Sequence, residues 1–154
     1  GGSGQEDLYE MMNRLAADVA PGADGLFCEP LFTGTRREPD RRGVWTGVGT
    51  SNFSPGHMAR ALLEGLTEQF AQLYDEMDRM GVGGRTKLVG AGNGIRKNLL
   101  LRSILEDRFG MVMEVPVHTE EAAFGAALMG TVSNGVFEDV KDVGRMVRYQ
   151  SIKK

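Results

Sequence analysis

Residues 87–110 read KLVGAGNGIRKNLLLRSILEDRFG. An apolar run through Leu88 and Val89 enters a turn built from Gly90, Ala91, Gly92, Asn93 and Gly94. The turn opens onto an amphipathic stretch in which Leu100, Leu101, Ile104, Leu105 and Phe109 recur at helical spacing. Strand, glycine-rich turn and helix in this order suit an anion. Glycine lets backbone N–H groups approach a phosphate, and the helix start adds unpaired donors and the positive end of its dipole. Arg96 and Asn98 fall near that start, close to any bound ligand. A tight strand-to-helix turn needs glycine even without a ligand, so the flanking sequence has to decide.

Downstream, residues 111–115 (MVMEV) form a second strand, and strand–helix–strand in so short a span implies a parallel crossover. Thr119 is placed to cap a further helix, with Glu120 and Glu121 in its first turn, where the dipole favours them. Its body, AAFGAALMG, is small and apolar all round, which predicts a helix buried on most sides against the strands beside the turn. Asn134-Gly135 ends it. Residues 136–154 mix charges with Val140, Val143, Met146 and Val147, the pattern of a short helix with a frayed end.

Upstream, residues 5–19 carry Leu8, Met11 or Met12, Leu15 and Val19 on one side of a helix that stops at Pro21 to Gly25. Residues 26–32 suit a short strand with a bend or edge at Pro30. Residues 33–43 (TGTRREPDRRG) hold four arginines without apolar period, a loop whose arginines beside Glu38 and Asp40 are read as an ion-pair network ahead of a phosphate site. Residues 44–48 are a strand. Ser54-Pro55 is a cap followed by proline at the first helical position, and Leu62, Leu66, Phe70, Leu73, Met77 and Met80 carry a long helix to Gly81. Gly65 inside it costs about 1 kcal/mol relative to alanine, so close packing is expected there. His57 lacks a sequence neighbour at ligand spacing and is read as a surface residue.

The chain has 154 residues, 41% hydrophobic, which suits one core and one compact unit. A formal net charge of −3 with dispersed basic residues argues against a general nucleic-acid or membrane-surface binder. The lone cysteine, Cys28, excludes an internal disulfide or a cysteine metal cluster and is read as a small buried residue. No apolar run approaches the roughly 20 residues of a membrane span, and a cytoplasmic setting is expected. The class is α/β: helices packed on a mixed sheet.

Two readings of the turn stay open on the residues alone. In a Rossmann-like site, an acidic residue at the end of the next strand holds a ribose, and Glu114 falls roughly there. Against this, the third glycine of GxGxxG would fall at Ile95. The other reading is an actin-like (ribonuclease H-like) phosphotransferase lobe. Here the chain resembles the C-terminal domain of FGGY-family carbohydrate kinases along nearly its whole length. PGADGLFCEPLFTGTRREPDRRG resembles that family's apolar strand, Gly-x-x-x-Pro and Asp-Pro-x-x-Arg-Gly, with Pro39 preceding Asp40 instead of following it. TSNFSPGHMARALLEGL resembles its Arg-Ala-x-x-Glu-Gly helix. VGAGNGIRKN is similar to its Gly-Gly-Gly-x-x-x-Asn turn, with Ala91 for the middle glycine, and EEAAFGAALMG to its Glu-x-x-Ala-x-Gly-Ala-Ala helix. Gly1, Ser3 and Gln5 stand in the Gly-x-Ser-x-Gln pattern that contacts nucleotide phosphates in relatives, although GGSG is also what a linker would look like.

The resemblance implies ATP and Mg²⁺ as cofactors, with the γ-phosphoryl group passed to a hydroxyl of a ketose or polyol. It implies that Gly90, Ala91, Gly92, Asn93 and Gly94 hold phosphate and ribose, that Asn98 reaches towards adenine, and that Gly1 and Gln5 add phosphate contacts. The spelling GAGNGIRKN is closest to sedoheptulokinase-like members. The family's aspartate base is expected upstream, in an N-terminal sugar-binding domain outside this chain. Neither Asp24 nor Asp40 is assigned to that role, and no metal ligand is assigned. The partners implied are ATP or ADP and the sugar, with a homodimer left open. A nucleotide-binding module without catalysis is the competing functional class.

Overall fold

A computed structural model describes residues 8–151. Gly1, Ser3 and Gln5 therefore lie outside the described residues. The backbone divides between Gly84 and Arg85 into two compact units, where composition had suggested one.

In the first unit, α1 (Leu8–Ala17) leads to a single 3-10 turn at Ala23–Gly25 and to β1 (Phe27–Glu29), which pairs antiparallel with β2 (Val44–Thr46). The connecting loop is an ion-pair network, as its charge pattern predicts. Arg41 reaches Glu29 Oε1 at 2.6 Å and Glu38 Oε2 at 2.9 Å, and Glu38 N–H donates to Thr35 Oγ1. α2 (Pro55–Arg79) starts where Ser54 Oγ accepts the His57 N–H, with proline at the first turn. Its buried residues are Gly56, Arg60, Ala61, Leu63, Gly65, Thr67 and Ala71, and Ala61 joins Ala23, Leu26 and Cys28 in one core against which Met58 and Leu62 pack. The stripe Phe70, Leu73, Met77 and Met80 is exposed, so α2 packs through a face of smaller residues than its large apolar ones.

The second unit carries β3 (Leu88–Val89), α3 (Asn93–Lys97), α4 (Leu99–Phe109), β4 (Met113–Pro116), α5 (Glu121–Ser133), α6 (Val140–Gly144) and β5 (Tyr149–Ser151). The strand order is β3-β4-β5, with β3 and β4 parallel and β4 and β5 antiparallel. The parallel crossover expected from the sequence is present. α4 turns Ile104 and Leu105 inward, and Glu106 Oε1 accepts the Met113 N–H at 2.8 Å, fixing the entry into β4. Gly110 closes α4 in the left-handed conformation.

Three expectations change. The tail is not merely a fraying helix: after α6 it returns as β5, whose three residues pair with β4 because that edge is otherwise open to hydrogen bonding. Thr119 does not cap α5; the flanking residue is Glu120, which makes no side-chain cap bond. And α5 is not buried on most sides: none of its residues is buried, Ala123 is exposed, and a side chain at Gly125 would meet open space. The described strands of the second unit, of two, four and three residues, are too few and too short to cover a helix of 13 residues all round.

Candidate functional site

The turn after β3 is more differentiated than its run of glycines suggests. Gly90 continues the sheet, its N–H donating to the Glu114 carbonyl at 2.9 Å. It is buried, and a side chain there would overlap Met113 Sδ and crowd Ile95. Gly90 is thus required by packing, and its N–H is already used. Ala91, Asn93 and Gly94 are exposed. Gly92 has φ 87 and ψ 165, a region that essentially only glycine occupies, and a Cβ added there would touch nothing within 4 Å. Its identity is therefore demanded by the backbone itself and not by crowding.

The helix beyond the turn is broken in two. α3 is a single turn, and at Asn98 the chain leaves helical geometry with φ −109 and ψ 90 before α4 begins. The Asn98 side chain explains the restart: its Oδ1 accepts the Leu101 N–H at 2.9 Å, capping α4. Asn98 thus has a local structural role in addition to the ligand role that the resemblance implies.

Arg96 is bonded within the protein. Its Nη2 donates to the carbonyls of Pro116, at 2.6 Å, and His118, at 2.7 Å. Nε and Nη2 also hold Glu121 Oε1, at 2.9 and 2.6 Å. The same carboxylate oxygen accepts the Gly92 N–H at 3.3 Å. Both side chains are largely shielded, at 13% and 24% exposure, which strengthens charge-assisted bonds of this kind. The Arg96 bond, then the backbone at Glu121 itself, hold the Glu121 carboxyl below its ordinary range. Beside them the His118 ring stacks on Phe124 with centroids 3.7 Å apart. The sequence placed Glu121 by the helix dipole alone and missed this second partner, because nothing local links it to Arg96. Glu114, the ribose candidate of the Rossmann reading, is paired with Lys87 Nζ at 2.6 Å.

In the first unit His57 is not a surface residue. Its Nδ1 lies 2.7 Å from Ser54 Oγ and its Nε2 lies 3.0 Å from Asp24 Oδ2, with the side chain only 16% exposed. Asp24 sits in a run of left-handed backbone from Gly22 to Gly25 that includes Ala23 at φ 44 and Asp24 at φ 50. α2 and the loop before it hold that run. Glu64, itself paired with Arg60 at 2.6 Å, accepts the Gly22 N–H, while Asn52 Nδ2 donates to the Asp24 carbonyl. Asp24 is thus occupied as a loop anchor. Asn52 went unremarked in the sequence because its partner Asp24 lies far along the chain, and the Arg-Ala-x-x-Glu-Gly motif that holds Arg60 and Glu64 gave no sign of the contact to Gly22.

Residues 3–134 match the FGGY family of carbohydrate kinases, C-terminal domain. The chain belongs to this family. It is 28% identical to the gluconokinase of Bacillus subtilis over 144 residues, covering 92% of this chain and 28% of that protein. It is 31% identical to the L-fuculokinase of Escherichia coli over 147 residues, covering 94% of this chain and 29% of the relative. Among solved structures, xylulose kinase from Rhodospirillum rubrum superposes with a TM-score of 0.75 at 29% identity, over 94% of this chain and 29% of that one. The fold is therefore that of the FGGY sugar kinases, α/β and actin-like, and the Rossmann reading is set aside. The chain spans less than a third of the length of these relatives.

Proposed function

We propose that this chain is the nucleotide-binding half of an ATP-dependent sugar kinase, acting with a sugar-binding domain carried by the rest of a longer protein. The observation that supports this best is the turn at residues 90–94. In a family of carbohydrate kinases, an exposed strand-to-helix turn holds Gly92 in a conformation closed to other residues, and the residues beside it, Asn93 and Gly94, are free of side-chain bulk or exposed. Ala91, Gly92, Asn93 and Gly94 would meet the phosphates and ribose, Gly90 would set the floor of the turn, and Asn98 would face the adenine side. Gly1 and Gln5 would add phosphate contacts.

Phosphoryl transfer of this type depends on positioning and charge stabilisation. Among the described residues no group of three or more His, Cys, Asp or Glu is arranged to hold a metal ion. Mg²⁺ would thus arrive on the nucleotide, held by phosphate oxygens and water. With Asp24 engaged by His57, the base for the acceptor hydroxyl would come from outside this chain. No described helix is long and apolar enough to cross a membrane, and a cytoplasmic setting fits the reading. The acceptor would be a sugar or polyol hydroxyl. Sedoheptulose rests on the spelling GAGNGIRKN alone, while the relatives are named for gluconate, L-fuculose, glycerol and xylulose.

Calorimetric titration of the chain with ADP and ATP, paired with a coupled ADP-release assay over a sugar panel, tests the proposal. Weak nucleotide binding without turnover is expected. Sugar-dependent turnover by these 154 residues would place the base within the chain, and no nucleotide binding at all would reject the assignment of the turn.

A further inference from the structure

The Arg96–Glu121 pair joins three segments that local sequence does not connect: the glycine turn, the link between β4 and α5, and the first turn of α5. Arg96 commits Nη2 to two carbonyls and a carboxylate and Nε to the same carboxylate, so this edge of the guanidinium is engaged within the protein. Glu121 in turn uses one oxygen on Arg96 and on the Gly92 N–H. Gly92 holds a backbone conformation that residues with a side chain rarely adopt, and glycine is also the residue with most freedom to leave it. A turn of this composition ordered only by its own glycines would lose that order readily. The bond from Gly92 to Glu121 ties the turn to the first turn of α5, and it is long at 3.3 Å, so it depends on Arg96 keeping the carboxylate in place.

We infer that Arg96 and Glu121 are positioning residues: they hold the Gly92 peptide in its ligand-ready conformation without touching the nucleotide. This inference rests on the nucleotide reading of the turn and deepens it. It also assigns Arg96 a role opposite to the one its charge and place suggest. An arginine at the start of a helix beside a phosphate turn invites a direct phosphate contact, whereas here its Nε and Nη2 are committed to Glu121 and to the carbonyls of Pro116 and His118.

The two roles predict opposite signs. If the pair positions the turn, Arg96→Met and Glu121→Ala each weaken ADP binding by about tenfold, the equivalent of about 1.4 kcal/mol for one lost charge-assisted link. The double variant is then little worse than either single one, because both remove the same link. Glu121→Gln, which keeps an acceptor oxygen, falls between wild type and Glu121→Ala. Adenine, which has neither phosphate nor ribose to meet the turn, binds the wild type and all four variants alike. If instead Arg96 is a phosphate ligand held back by Glu121, Glu121→Ala frees it and tightens ADP binding, and that result overturns the inference.

A second measurement is independent of any ligand. Amide hydrogen exchange in the whole chain should rise at Gly92 and Asn93 in Arg96→Met and Glu121→Ala while Ile104 and Leu105 in α4 keep their protection. Unchanged exchange at Gly92 in both variants overturns the positioning role, whatever the affinities. A wild-type chain that binds no ADP rejects the nucleotide reading, and the exchange result then decides by itself whether the pair holds the turn. Global loss of protection, including α4, would show a general structural role and also overturn the inference.

Discussion

Gly65 of α2 lies directly against the backbone carbonyl of Cys28 in β1, so close that a methyl group at 65 would collide with it. The contact explains a helix-interior glycine that intrinsic propensity penalises by about 1 kcal/mol. Gly65→Ala should therefore lower stability, by about 1–3 kcal/mol, against the direction of helix propensity. Chemical denaturation of both proteins checks it, and a more stable alanine variant would mean that α2 and β1 can move apart at little cost.

Gly92 poses a different constraint, since there is open space beside it but the backbone is held at φ 87 and ψ 165. Both Gly92→Ala and Gly92→Val should distort the turn, at a cost on the order of 1–3 kcal/mol for a residue forced into that region. Nucleotide affinity should fall in both while α4 stays folded. Titration with ADP alongside circular dichroism distinguishes this from crowding, which would spare alanine and affect only valine.

Gly125 is the opposite case. It sits in α5 with nothing near its missing side chain, so Gly125→Ala should stabilise the chain by up to about 1 kcal/mol through helix propensity. Thermal melting reads this directly. A lower melting temperature would mean that α5 is covered in solution after all, as its composition of small residues first suggested.

The Glu121 carboxyl is held below its ordinary range chiefly by the Arg96 bond. A carboxylate with a depressed folded-state pKa contributes stability that is complete above its unfolded value, about 4.3, and is lost as pH falls through the folded one. The second unit should therefore lose its Arg96 link only in acid, below about pH 4. Glu121→Gln should flatten that part of the stability profile, as followed by denaturant unfolding at a series of pH values. Equal acid sensitivity in both proteins would place the titration elsewhere.

Much of this protein was written locally. Ser54-Pro55 started α2, Gly110 stopped α4, the charges of residues 33–43 closed their own loop, and a strand, turn and helix appeared where Leu88, the glycines and Leu100 to Phe109 announced them. Each of these depends on bonds between residues within a few positions of one another, which chain chemistry controls directly. Motif order likewise pointed to the family that the match over residues 3–134 establishes. Tertiary structure alone decided the rest. His57 meets Asp24 across 33 positions, Arg96 meets Glu121 across 25, and β5 pairs with β4 from the end of the chain. The apolar helix α5 stays uncovered because burial depends on what surface is there to receive it. Propensity and periodicity describe one segment at a time, whereas a salt bridge or a buried face needs two segments brought together, and that meeting is fixed only when the backbone has folded.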